Sequence, residues 1–124
     1  MPEMEYNASI PIYIQVMTSI KRDIVTGKIQ PGEKLPSVRD LAIRYSINPN
    51  TVSRVYRELE LEDVCFTRRG MGTFVTEDAG RVTRMREDMA QELIRDFLAG
   101  MRQLGIPDDE IKRLVEEYGK QEGG

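Results

Sequence analysis

Histidine is absent from this chain, and Cys65 is its only cysteine. The two scarcities remove imidazole acid/base catalysis, Cys–His nucleophile pairs, the usual zinc ligand sets and any disulfide within the chain. No catalytic residue, metal ligand or cofactor is therefore assigned. Cys65 stands between Val64 and Phe66 in an apolar run and reads as a small buried hydrophobe rather than a reactive thiol. No apolar run approaches the roughly 18 residues of a membrane span, so no membrane partner is expected. The N-terminus lacks the basic start, apolar stretch and small-residue cleavage site of a secretory signal, and the expected location is the cytoplasm. At 124 residues there is room for one modest core with a small appendage, not for a regulatory and a catalytic domain side by side.

What is present is a charge-rich globular composition, 31% charged and 40% hydrophobic, with a net charge of -3. That sign argues against nucleic acid as a partner, but the distribution matters more than the sum. Between Lys34 and Arg69 stand seven basic residues (Lys34, Arg39, Arg44, Arg54, Arg57, Arg68 and Arg69) against five acids, four of which cluster from Glu58 to Asp63. A basic surface exists there if the fold segregates it.

Tyr13, Val16, Met17, Ile20 and Ile24 recur at helical spacing, which predicts an amphipathic helix over 11–26. Gly27 supplies the left-handed residue that ends it. "KIQPGEKLP" follows as a turn and a short extended link anchored by Ile29 and Leu35. Ser37 is set to cap a second helix in a box with Asp40, with Val38, Leu41, Ala42 and Tyr45 on one face and an end near Tyr45. Only Ser46, Ile47 and Asn48 separate it from a third helix, as short a link as a tri-helical DNA-binding unit requires.

In the third helix Asn48 is the N-cap, Pro49 fits the first turn, and Val52, Val55, Tyr56 and Leu59 form the buried stripe. Opposite that stripe lie Asn50, Arg54 and Arg57, with Thr51 and Ser53 flanking. A helix with short polar groups at its N-terminus and arginines one and two turns on can enter a major groove end first, presenting donors and acceptors to base edges and cations to phosphates. Taken alone, such a face is simply solvated; the short second helix, the tight turn and the segment that follows favour the DNA reading. Leu61 falls on the polar side and is expected to pack on the neighbouring hairpin. That hairpin is read from "VCFTRRGMGTFV": two strands, about 64–67 and 73–75, around a tip with Arg68 and Arg69 beside two glycines, suited to phosphates or the minor groove.

From Arg81 onward a stripe of Val82, Met85, Met89, Leu93, Phe97, Met101 and Leu104, widened by Ala90, Ile94 and Leu98, predicts a helix of about 24 residues. Leu104-Gly105-Ile106-Pro107 stops it. Asp108, Asp109 and Glu110 start another helix, where they complement the dipole rather than hold a metal, and Ile111, Leu114, Val115 and Tyr118 make its apolar face. The end "KQEGG" is expected to fray. A stripe this wide beyond a complete small domain needs a cover, and a second copy of the chain is the expected one, through Met85, Met89, Leu93, Phe97, Met101, Leu114 and Tyr118. The fold class is thus mostly α with a small β-hairpin wing: a winged helix-turn-helix over 1–78, then a two-helix dimerisation tail over 79–124 that is also the candidate effector region.

"GKIQPGEKLPSVRDLAIRYSINPNTVSRVYRELE" followed by "TRRGMGTFV" resembles the N-terminal DNA-binding domain of GntR-family bacterial transcription regulators, from about Ile10 to Val75. The tail ending in "LGIPDDEIKRLVEEY" is similar to the YtrA-type subfamily. The resemblance implies a homodimer on the double-stranded DNA of an inverted-repeat operator, often repressing its own operon, which commonly encodes ABC transporters. It implies DNA contacts from Arg39, from Asn50, Thr51, Ser53 and Arg54, and from Arg69 with Gly70, with Pro36 and Ser37 starting the second helix as in the family; Ser37 joins the DNA-binding set. Arg57 and Arg68 join it from the reading of the helix and hairpin alone. The family usually carries Gly after the recognition helix; here Asp63 stands in "LELEDVC", which implies a turn strained by roughly 1 kcal/mol or shaped differently.

A small-molecule effector, if one acts, would lie within the dimer interface or between tail and DNA-binding domain, because the tail is far shorter than the effector domains of other subfamilies. Two rivals stand beside this reading. One is a remnant of an aminotransferase-fused regulator, although no lysine context or phosphate-binding glycine loop for pyridoxal phosphate is present. The other is a winged-helix adaptor that grips a protein rather than DNA, which the acidic run from Glu58 to Asp63 favours.

Overall fold

A computed structural model describes residues 5–123. α1 (Ile12–Val25) buries Val16, Met17, Ile20 and Ile24 on one face. It ends where Gly27 takes φ +80 and its N–H returns to the Ile24 carbonyl at 3.2 Å. Ile29 and Leu35 are buried, as expected of the anchors of the following link. This link also does something the sequence did not announce: its Leu35 N–H donates to Thr73 O at 2.8 Å, and its Glu33 carbonyl accepts from Val75 N–H at 2.9 Å.

α2 (Val38–Tyr45) is capped by Ser37, whose Oγ accepts the Asp40 N–H at 3.1 Å. Among the described residues the return bond from the Asp40 carboxylate is not made, so the expected capping box is half closed. Ser46 ends α2 in the left-handed region, φ 55 and ψ 48. The Ile47 N–H reaches Ala42 O at 3.0 Å and the Ser46 N–H reaches Ile43 O at 3.2 Å, which satisfies two end carbonyls and turns the chain sharply. Two residues later Asn48 Oδ1 accepts the Asn50 N–H at 2.8 Å and α3 (Pro49–Leu61) begins.

α3 buries Val52, Val55, Tyr56 and Leu59 against α1, α2 and β1 (Cys65–Arg68). The Tyr56 hydroxyl donates to the Pro36 carbonyl, fastening the middle of α3 to the entry of α2. The Tyr45 hydroxyl shares a 3.0 Å hydrogen bond with Ser19 of α1. β1 pairs antiparallel with β2 (Gly72–Val75) in the register Cys65 to Val75, Phe66 to Phe74, Thr67 to Thr73 and Arg68 to Gly72. A bridge from Lys34 to Phe74 lays the link along the far edge of β2. Leu61 is 73% exposed. It does not pack on the hairpin, because it lies on the solvent side of α3, away from the Leu59 and Val64 stripe that faces the strand.

α3 ends in a Schellman turn. The Val64 N–H reaches Leu59 O at 2.9 Å and the Asp63 N–H reaches Glu60 O at 3.0 Å, with Asp63 at φ 60 between them. The left-handed residue expected of glycine is thus supplied by Asp, and the turn keeps its shape. Leu59 and Val64 are both fully buried, the apolar contact that accompanies this motif.

The chain forms two compact units, one running to Arg86 and one from Glu87 onward. The division falls inside α4 (Ala79–Gln103) rather than at residue 78, because the first turns of α4 belong to the first unit: Arg81 Nε donates to Glu62 O at 2.9 Å, and Met85 is 3% exposed. In the second unit Gly105, at φ +76, closes α4 and α5 (Asp108–Glu122) follows. Arg102 pairs with Asp108 at 3.3 Å and Arg113 with Glu110 at 3.6 Å, so two of the three acids at this helix start are held in ion pairs. α5 runs through Glu122, further than the fraying expected from residue 120.

Because L-residues are strained in the left-handed region, Asp63→Gly should stabilise the first unit by up to about 1 kcal/mol and Asp63→Val should destabilise it, read from urea unfolding midpoints. Alkaline pH should weaken the same core. Burial pushes the Cys65 thiol from 9.0 to about 12, and it also raises the Tyr45 and Tyr56 hydroxyls above 10.0. The folded chain therefore keeps protons that the unfolded chain releases, so stability is full below pH 9 and falls as pH climbs towards 12. Thermal melts across that range should show the decline, blunted at its onset in Cys65→Ala; a flat profile would contradict it.

Candidate nucleic-acid interface

The outward face of α3 is built by the burial of its inward one. With Val52, Val55, Tyr56 and Leu59 in the core, Asn50, Ser53, Arg54 and Arg57 are exposed and Thr51 is half-buried. No hydrogen bond among the described residues engages the side chains of Asn50, Thr51, Ser53 or Arg57. Ser37 spends an acceptor lone pair on its cap and keeps its O–H to donate. Arg39 is exposed in the first turn of α2.

Arg39, Arg54, Arg57, Arg68 and Arg69 make no ion pair among the described residues, whereas Lys21, Arg84, Arg102 and Arg113 do. None of the cations expected to meet DNA is held by an acid among the described residues, a condition they share with others such as Arg22, Lys28 and Arg44. Two of the four acids from Glu58 to Asp63 are engaged at the other end of the helix. Glu62 accepts from Lys21 Nζ at 2.7 Å, and a Glu60 carboxylate oxygen accepts the Thr67 N–H at 3.3 Å. At 1.5 Å per residue, Glu58 lies roughly 12 Å and Glu60 roughly 15 Å along the axis from Asn50, so the acidic run stands away from the N-terminal end of the helix, although Glu58 adjoins Arg57 and follows Arg54 by one turn.

The hairpin tip is closed by the Met71 N–H donating to Arg68 O at 2.9 Å. Gly70, at φ +77, has open space in front of it, and only its conformation calls for glycine. Gly72, at φ +122, also has the Lys34 Cε methylene 2.7 Å from where a Cβ would sit. Phe66 and Phe74 stack across the strands at 5.6 Å, and the Arg68 guanidinium sits 5.3 Å above the Phe66 ring. Arg68 is thus drawn back along the wing while Arg69 stands exposed at the tip.

Three residues beside this surface fall outside the set expected to meet DNA. Lys34 reaches the wing through the bridge to Phe74, and a strand register between distant segments is not visible as a local pattern. Met71 is 59% exposed at the wing tip; an unshielded apolar side chain between two glycines was the available signal. Tyr13 was read only as a core position, yet it is half-buried and carries the Arg54 guanidinium 3.8 Å above its ring. With Ile12, Asn50, Thr51 and Arg54 it borders a hollow of about 320 Å³.

The tail residues divide. Met85 is covered within a single chain and so is not free for a partner, which corrects its assignment to the dimerisation set; its spacing continues the stripe, but the first turns of α4 pack into the first unit. Within the second unit Phe97, Met101, Leu114 and Tyr118 line one apolar hollow of about 790 Å³ with Ile94 and Val115. Leu93 is 70% exposed outside it, and Met89 is half-buried.

Residues 12–75 match the model of the bacterial regulatory proteins, gntR family. The chain belongs to the GntR family. The matched residues begin with α1 and end with β2, the helix-turn-helix and wing described above. This GntR chain is 40% identical over 107 residues to the HTH-type transcriptional repressor YtrA of Bacillus subtilis (strain 168), covering 82% of each protein. A GntR family transcriptional regulator from Listeria monocytogenes superposes with a TM-score of 0.83 at 39% identity, covering 90% of this chain and 98% of that one. The AraR DNA-binding domain in complex with operator ORX1 superposes with a TM-score of 0.57 at 25% identity, covering 61% of this chain and 96% of that one. The GntR chain is therefore a transcription regulator with a winged-helix DNA-binding domain.

Proposed function

We propose that this regulator represses transcription by binding an inverted-repeat operator as a homodimer, with its own upstream region as the first candidate operator. The observation that carries the reading is the set of unpaired donors and cations on the α3 N-terminal face, Asn50, Ser53, Arg54 and Arg57, on the same unit as the wing arginines. α3 would enter the major groove by its N-terminal end, with Asn50 and Arg54 on base edges and Arg57, Arg39 and Ser37 on phosphates. Arg69, Gly70 and Arg68 would follow the backbone or the minor groove beside it. The AraR complex with its operator supports this use of the fold.

A single head reads few base pairs, so specificity at cellular salt calls for two heads about one helical turn apart. The exposed apolar strip of the second unit, with Leu93, Phe97 and Tyr118, is the surface we assign to the second copy; an area this apolar is costly to leave in water. A small-molecule effector of this protein would enter the 790 Å³ hollow between α4 and α5, where it would alter the same interface. The adaptor reading loses part of its support, because Glu60 and Glu62 are engaged within the chain, while Glu58 and Asp63 make no ion pair among the described residues.

Fluorescence anisotropy on upstream and scrambled duplexes tests the reading head. Arg54→Ala should lose most of the preference for upstream DNA, by roughly 1–3 kcal/mol if it makes a bidentate base contact. Arg69→Ala should weaken both duplexes alike and flatten the salt dependence by about one unit of slope. Equal losses on both duplexes for Arg54→Ala would remove its reading role. Light scattering tests the assembly: the natural chain should run as a dimer, and Phe97→Asp combined with Leu93→Asp as a monomer that binds the operator weakly. A natural chain that is monomeric at micromolar concentration and still binds with full preference would refute the dimer.

A further inference from the structure

The Tyr13–Arg54 contact has no part in the helix-turn-helix itself, since Tyr13 comes from the first turn of α1. Its ring lies 3.8 Å from the Arg54 guanidinium carbon, at stacking distance, and Arg54 has no acid partner among the described residues. An arginine free in solvent samples many rotamers, and ordering it on a base costs part of whatever the contact gains. A ring under the flat face of the guanidinium restricts that sampling while leaving its N–H edge, the part that matches guanine O6 and N7, free to donate. An acid in the same place would hold the arginine by that edge and compete with the base.

The start of the helix that carries the ring is well seated. Val16, Met17 and Ile20, on the same helix, are in the core. Gln15 ties the preceding loop to the start of α1: its Oε1 accepts the Asn7 N–H at 2.8 Å, and its Nε2 donates to Asn7 O at 2.7 Å and Ile10 O at 2.8 Å. The backbone that carries the platform is therefore held from both sides in the free protein.

The geometry points to Tyr13 as a positioning residue for sequence discrimination: it holds Arg54 in its base-reading orientation in the free protein. This rests on the reading role of Arg54 and is testable apart from it. In the free protein, the Arg54 side-chain protons should be shifted upfield by the ring current, and the shift should vanish in Tyr13→Leu and persist in Tyr13→Phe. In binding, Tyr13→Leu should reduce the preference for upstream over scrambled duplex roughly threefold per half-site, about tenfold for two protomers, with the salt slope unchanged. Tyr13→Phe should stay within about twofold of the natural chain, and Tyr13→Leu should cost no further preference in an Arg54→Ala background.

Additive losses in the double variant, equal losses on both duplexes, or an unshifted Arg54 in the natural free protein would each overturn the proposal. Undiminished preference in Tyr13→Leu alongside a loss in Arg54→Ala would remove Tyr13's part alone. Undiminished preference in Arg54→Ala would remove the reading role and this proposal with it. Should Tyr13→Leu fail to fold, the proton shifts of the natural chain and of Tyr13→Phe still decide.

Discussion

The burial of one face of α3 is the constraint on which the rest depends. Val52, Val55, Tyr56 and Leu59 are held from three directions, by α1, α2 and β1. With four positions of a 13-residue helix committed inward, the direction of every other side chain follows from the helical repeat. Nothing further is needed to turn Asn50, Ser53, Arg54 and Arg57 outward. The outward polar face is in this sense a by-product of packing: the core orients the helix, and the helix orients the polar groups.

Backbone hydrogen bonds carry that order to the wing. Cys65 and Val64 are buried at the exit of α3, so the first strand leaves the core in a set direction, and the link over residues 32–35 pairs with the other edge of β2. The wing is therefore braced from the segment that precedes α2 as well as from the segment that follows α3. A two-stranded ribbon alone is marginal in water; the bridge at Lys34 and the stacked pair of Phe66 and Phe74 supply what it lacks.

Much of this was legible in the residues. Periodicity located the helices to within a residue or two. Ser37, Asn48-Pro49 and Gly27 marked where helices start and stop, because capping acts through nearest neighbours along the chain. What escaped depends on pairs that are distant in sequence. The register that joins Lys34 to Phe74 and the stacking of Arg54 on Tyr13 have no local signature. Met85 continues the apolar spacing of its helix without a break, so nothing in the stripe shows that its cover comes from the first unit. Leu61 erred the other way: an apolar residue on a polar face suggested a neighbour, and it has none. Ser46 adopts the left-handed turn between α2 and α3 that a glycine would have announced.

The hold of Arg81 on the end of α3 has a consequence for how such a sequence can drift. Its guanidinium grips the Glu62 carbonyl rather than the Glu62 carboxylate. A backbone oxygen is present whatever side chain the position bears. This contact between the end of α3 and α4 thus does not depend on the side chain at residue 62, whose carboxylate separately holds Lys21, while loss of the single arginine would free the carbonyl. Variation at residue 62 leaves this contact in place, whereas variation at residue 81 removes it.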